Sequence, residues 1–120
     1  VLWLALGFAM RAAAAFGLVA QNVSLHALTV GAIGVLTLGM MSRVTLGHTG
    51  REMRAPRLAA LAFVLLNLAA VARGIAPAVW PDRYLFLVHS AAGLWILAFV
   101  LFLVAHAAML WRPRVDGGPG

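Results

Sequence analysis

The 120-residue chain carries nine arginines and no lysine against Glu52, Asp82 and Asp116, for a formal net charge of +6. Its hydrophobic content of 64% and mean hydropathy of +1.00 lie far above the roughly one-half apolar usage of soluble domains. A water-soluble fold is excluded, and the composition points to an integral membrane protein. Most of the arginines flank apolar runs, where positive charge sets topology and meets lipid headgroups, so nucleic acid is not expected as a partner. Without cysteine, disulfides, thiolate-ligated haem and iron–sulfur ligation are excluded from this part of the chain, and any metal held here must use His, Met or oxygen ligands. The chain opens on Val1 inside an apolar run, which leads to the expectation of a fragment from the end of a longer polytopic protein.

The expected fold is all-α, a bundle of four transmembrane helices in a single membrane domain. Residues 1–20 form the first span, matched in length to a hydrocarbon core of roughly 30 Å. It lacks a basic leader and carries Arg11 at its middle, so it does not read as a signal peptide. Gln21, Asn22 and Ser24 then make a polar turn, with Ser24 the expected N-cap of the second span, residues 25–46. That span is rich in small residues. Its Ala27-xxx-Gly31 spacing lets a neighbouring helix or a flat ligand approach the backbone closely. Gly47 is the expected terminator, and the following loop carries Arg51, Glu52 and Arg54.

The third span, residues 57–76, holds Asn67 at its centre and Arg73 near its far end, before Pro77 stops it. The fourth, residues 84–111, would be about 42 Å long if wholly helical and must tilt or project beyond the core. Residues 112–120, rich in Pro and Gly, form a tail expected to fray. Arg51, Arg54, Arg57, Arg112 and Arg114 fall on one side and only Arg83 lies in the loops of the other. The positive-inside rule therefore puts both ends of the chain in the cytoplasm. Trp3 and Trp111 would then lie at the cytoplasmic interface, with Trp80 and Tyr84 at the outer one.

Arg43 and Arg73 lie near span ends, where the long side chain can snorkel and act as an interfacial anchor. Arg11, at mid-span, would cost about 2.5–3.5 kcal/mol unless it faces a polar interior. Its partner would be an upstream helix, an anionic cofactor such as a haem with its propionates, or Asn67. The four histidines divide into two layers, His26 and His89 toward the outer face and His48 and His106 toward the cytoplasmic one. About 33 Å of helix separates His26 from His48, so they cannot hold one metal. His48 at a helix C-terminus reads as a cap or a ligand, and His106 as a ligand or a satisfied packing residue. His26 near a helix N-terminus is expected to be neutral, the ligand form. His106 with Met109, and Met53 beside His48, would suit Cu(I) if the two ends converge, although methionine in membrane helices is commonly a gap filler. No paired carboxylates, Ser-His-Asp spacing, HExxH or phosphate loop indicates an enzyme.

The segment His26-Ala27-Leu28-Thr29-Val30-Gly31 through Ser42-Arg43, followed by Leu46-Gly47-His48-Thr49-Gly50-Arg51, resembles the NnrS family of bacterial membrane proteins. The tail Arg112-Pro113-Arg114-Val115-Asp116-Gly117 resembles the end of that family. The resemblance implies a haem- and copper-containing inner-membrane protein of the nitric oxide response that protects against nitrosative stress. It also implies that His26, Arg43 and His48 are ligand or cofactor contacts, whereas His89 and His106 fall outside the motif and rest on depth alone. Two other classes stand beside it: a transporter or permease whose intramembrane arginines bind an anionic substrate, and a metal-free scaffold or sensor subunit.

Overall fold

The computed structural model describes residues 2–118; Val1 of the first expected span and Pro119 and Gly120 of the tail lie outside the described residues. The described chain is helical throughout, without a strand. Helix α1 (Leu2–Ala15) is followed by α2 (Gln21–His26), which continues without a break through a π-helical segment (Ala27–Gly34) into α3 (Val35–His48). Helix α4 (Arg57–Gly74) leads through a short α5 (Ala76–Val79) and a single 3₁₀ turn (Pro81–Arg83) into α6 (Tyr84–Leu110). Three of these helical stretches are long and apolar enough to cross a membrane: Gln21–His48, Arg57–Val79 and Pro81–Leu110.

Helix α1 ends before its apolar run does. Its 14 described residues cover about 21 Å. It ends where Gly17 takes φ 72, a left-handed conformation that costs a side-chain-bearing residue about 1–2 kcal/mol. Leu18 N–H then reaches Ala13 O at 3.0 Å and Gly17 N–H reaches Ala14 O at 3.1 Å, the paired bonds of a Schellman C-cap. The same device, not Gly47, ends α3. Gly50 has φ 66, with Arg51 N–H on Leu46 O at 3.0 Å and Gly50 N–H on Gly47 O at 3.2 Å. Ser24 is not an N-cap either: the helix begins one turn earlier, after Ala20, and the Ser24 hydroxyl donates back to Gln21 O at 2.7 Å. Pro77 does not stop the third helix. The chain breaks at Gly74 and Ile75, and Pro77 sits in the first turn of α5, where its missing N–H costs nothing.

Helix α4 is the central element. It packs along α6 and against the π segment, while α1 lies across α2 and the π segment. In one half of the bundle the core joins Leu38, Ala62, Leu66, Ala98 and Phe102 from three helices. In the other half, small residues replace bulky ones. Gly74 meets the backbone of Ala27, and Gly31 lies under the indole of Trp3, so the small face of the second helix is filled by α4 and α1. The Trp3 indole N–H donates to Asn67 Oδ1 at 2.8 Å, and the Asn67 amide donates to Phe63 O at 2.7 Å. Trp3 is thus an inter-helix residue at the middle of α4, not part of an interfacial belt. Asn67 is committed to it, and Arg11 is exposed near the C-terminal end of α1.

Candidate functional site: two histidine-bearing cavities

The first cavity, about 440 Å³, lies beside the π segment, with α4 and α6 completing its walls. His26, Val30, Arg73, Val88, Trp95 and Ile96 are among its lining residues. Nearly all of this wall is hydrocarbon or aromatic, so its two polar side chains decide what it can recognise. The Nδ1–H of His26 donates to Asn22 O one turn back. A carbonyl can only accept, so Nδ1 carries a proton, and in the neutral ring Nε2 is the nitrogen with the lone pair. A ring oriented in this way, with its other nitrogen held by a backbone carbonyl, is the arrangement usual for metal-bound histidine.

Arg73 supplies the second polar group, from the last turn of α4. Its Nη2–H donates to the Tyr84 hydroxyl at 3.3 Å, and its guanidinium carbon lies 5.5 Å from the Tyr84 ring centroid. The opposite nitrogen, Nη1, is buried and has no hydrogen-bond partner, and it is the one such side-chain atom among the described residues. Sequence reasoning treats Arg73 as a snorkelling anchor. The signal that could have singled it out is the short connection to Tyr84, which folds the end of one helix back onto the start of the next.

The second cavity, about 520 Å³, lies at the opposite end of the second helix. Met40, Arg43, His48, Met53 and Arg114 line it, so two of the expected contacts, Arg43 and His48, share one groove with Met53. The tail lies folded back over this end. Arg114 Nη1–H donates to His48 O at 3.2 Å and Val115 N–H to Thr49 O at 3.3 Å. Arg114 also holds Asp116 in a two-point ion pair at 2.9 and 2.6 Å. That contact, together with the Gly118 N–H, keeps the Asp116 carboxyl well below the usual carboxylate range. Asp116 raises the Arg114 guanidinium in turn.

The other expected positions lie elsewhere. His106 is 1% exposed, and both of its ring nitrogens are engaged. Nδ1–H donates to Phe102 O at 3.0 Å, and Nε2 accepts the Ser42 hydroxyl at 3.0 Å. Its ring stacks on Phe102 with centroids 4.3 Å apart. His89 is exposed on α6 and donates to Leu85 O at 2.6 Å. Neither cavity is lined by His89, His106 or Arg11. Among the described residues, no three of His, Cys, Asp and Glu converge on a common point.

Three apolar helices of membrane-crossing length, with small-residue contacts between helices, place the chain in the class of helical membrane proteins. Within that class the chain belongs to the NnrS protein family, whose pattern matches residues 1–114. No curated protein and no solved structure matches it.

Proposed function

We propose that this chain is a haem- and/or copper-binding membrane component of the nitric oxide and nitrosative stress response, seated in the bacterial inner membrane with both ends cytoplasmic. Family membership supports the reading, and the observation that carries it is the state of His26. With Nδ1–H bonded to Asn22 O, His26 lines an apolar cavity, and its neutral ring would offer Nε2 as the ligand atom. That is the donor chemistry a haem iron takes, and the apolar wall suits a flat macrocycle. When bound, the iron supplies a site at which a diatomic gas such as nitric oxide binds. In this reading His48 and Met53 offer copper a mixed imidazole and thioether set in the second groove, with Arg43 and Arg11 balancing anionic groups. His89 remains a secondary candidate, and His106 one only if it gives up its bond to Ser42. A four-span arrangement makes α1 a membrane helix as well. Further ligands to either metal come from groups beyond those described, from the same protein or a partner.

The optical spectrum and metal content of the purified full-length protein test this. The expected result is a haem Soret band that His26→Ala abolishes and a copper content that His48→Ala lowers. Absence of both haem and copper, or two alanine variants that leave both unchanged, overturns the proposal. Substrate uptake that depends on Arg11 and ignores the histidines would favour a transporter in its place.

A further inference from the structure

We infer that Arg73 forms a carboxylate-recognition subsite in the His26 cavity, with Tyr84 as its positioning residue. A guanidinium in an apolar wall keeps its charge, and its five N–H donors need acceptors. Tyr84 satisfies one edge through its hydroxyl and covers the face through its ring. The remaining edge carries Nη1, which is covered by protein without a hydrogen-bond partner, so a ligand oxygen bonds it once the covering side chains turn aside. A buried donor left unsatisfied costs about 1–3 kcal/mol, and more when charged. Arg73 keeps its Tyr84 edge exposed, as an interfacial anchor does, but a purely snorkelling arginine has no need to bury the other edge at that cost.

An acceptor supplied by a ligand removes it. No Asp or Glu is among the residues lining the cavity. The walls contributed by Val30, Val88, Trp95 and Ile96 require the rest of that ligand to be apolar. A carboxylate on a largely hydrocarbon or aromatic body satisfies both conditions, and the two-point geometry of a guanidinium suits a carboxylate better than a single-point acceptor. Two sources share this chemistry: the propionate of a haem held through His26, which rests on the function proposed above, and the headgroup of a fatty acid entering from the bilayer, which does not.

The test uses the full-length protein with Arg73→Gln, Arg73→Lys and Tyr84→Phe, and Arg54→Gln in the exposed loop as a control. Haemin retention, the haem midpoint potential and binding of spin-labelled stearate are measured on each, with thermal unfolding to confirm folding. If the acceptor is a propionate, Arg73→Gln weakens haemin binding roughly tenfold to hundredfold, the effect of losing a charged hydrogen bond. It also lowers the midpoint potential, because an uncompensated carboxylate stabilises the ferric state. Arg73→Lys restores part of both, and Tyr84→Phe gives a smaller shift of the same sign. If the acceptor is a fatty acid, stearate binding falls by a similar factor and haem is untouched. A wild-type protein without haem removes the function proposed above but leaves the stearate arm intact. Stearate and haemin both bound equally by wild type, Arg73→Gln and Arg54→Gln, or bound by none, overturn the subsite.

Discussion

Replacing Gly31 by alanine probes the contact that seats α1 on the second helix. A methyl group built at Gly31 would lie 2.5 Å from Cε3 and 2.6 Å from Cδ2 of the Trp3 indole, far inside van der Waals contact. The ring cannot move aside freely, because its N–H is bonded to Asn67 at 2.8 Å and Asn67 is itself fixed to Phe63 O. Overpacking costs about 1–3 kcal/mol, and breaking a cross-helix bond in lipid adds about 0.6 kcal/mol. The better helix propensity of alanine returns up to about 1 kcal/mol. The net expectation is a destabilisation of roughly 2 kcal/mol. Two glycines of the same helix calibrate it. Gly39 faces Phe63 at an ordinary 3.6 Å, and Gly47 faces open space, so Gly39→Ala and Gly47→Ala are expected to be neutral or slightly stabilising. Equilibrium unfolding in mixed micelles, followed by circular dichroism, reads the three variants side by side. In a Trp3→Ala background the penalty of Gly31→Ala should largely disappear. Equal effects for Gly31→Ala and Gly47→Ala, or a penalty that survives removal of the indole, would refute the packing argument.

Ser42→Ala leaves His106 Nε2 buried without its donor, and a loss of about 1–3 kcal/mol in the same unfolding assay is expected; an unchanged midpoint would mean that the pair contributes nothing. Gly50→Ala forces a side chain into φ 66 and against the Asp116 carboxylate. It is expected to cost about 1–2 kcal/mol from the backbone alone, and Asp116→Ala should relieve the crowding but not that backbone cost. The depressed carboxyl of Asp116 fixes the sign of the tail's response to pH. Docking is fully present above the ordinary Asp value of about 3.9 and is lost as pH falls below it toward the lowered one. The hydrogen-exchange protection of the Val115 amide, which donates to Thr49 O, should therefore stay constant from about pH 8 to 5 and fall in stronger acid. A loss of protection between neutrality and pH 5 would contradict the Arg114 and Asp116 pairing.

Much of the helical layout is legible in residue order because apolar runs in lipid have few alternatives. Helices cover the second, third and fourth apolar runs for that reason. Helix ends are less legible, since Gly17, Gly47 and Gly50 look alike until the paired bonds of the C-cap show which of them adopts a positive φ. The π segment escapes any reading based on a 3.6-residue period, because its wider turn changes which residues share a face. His26 and His48 were separable from spacing alone, and they do line different cavities. That Arg43 joins His48, that His106 is taken by Ser42 and Phe102, and that Arg73 joins His26 depend on which helices touch.

The sequence by itself determined the environment and the secondary structure. A chain so apolar must close its backbone hydrogen bonds in lipid as helices or as a barrel, and continuous apolar runs of about 20 residues fit helices. Tertiary structure decided which polar side chains are spent on holding the bundle together and which keep a free donor or lone pair. Trp3, Asn67, Ser42 and His106 pair with protein partners, whereas His26 Nε2 and Arg73 Nη1 do not. Residue type gives the capacity of each group to bond, but only the packing of α1, α4 and α6 around the second helix decides which capacities are already used.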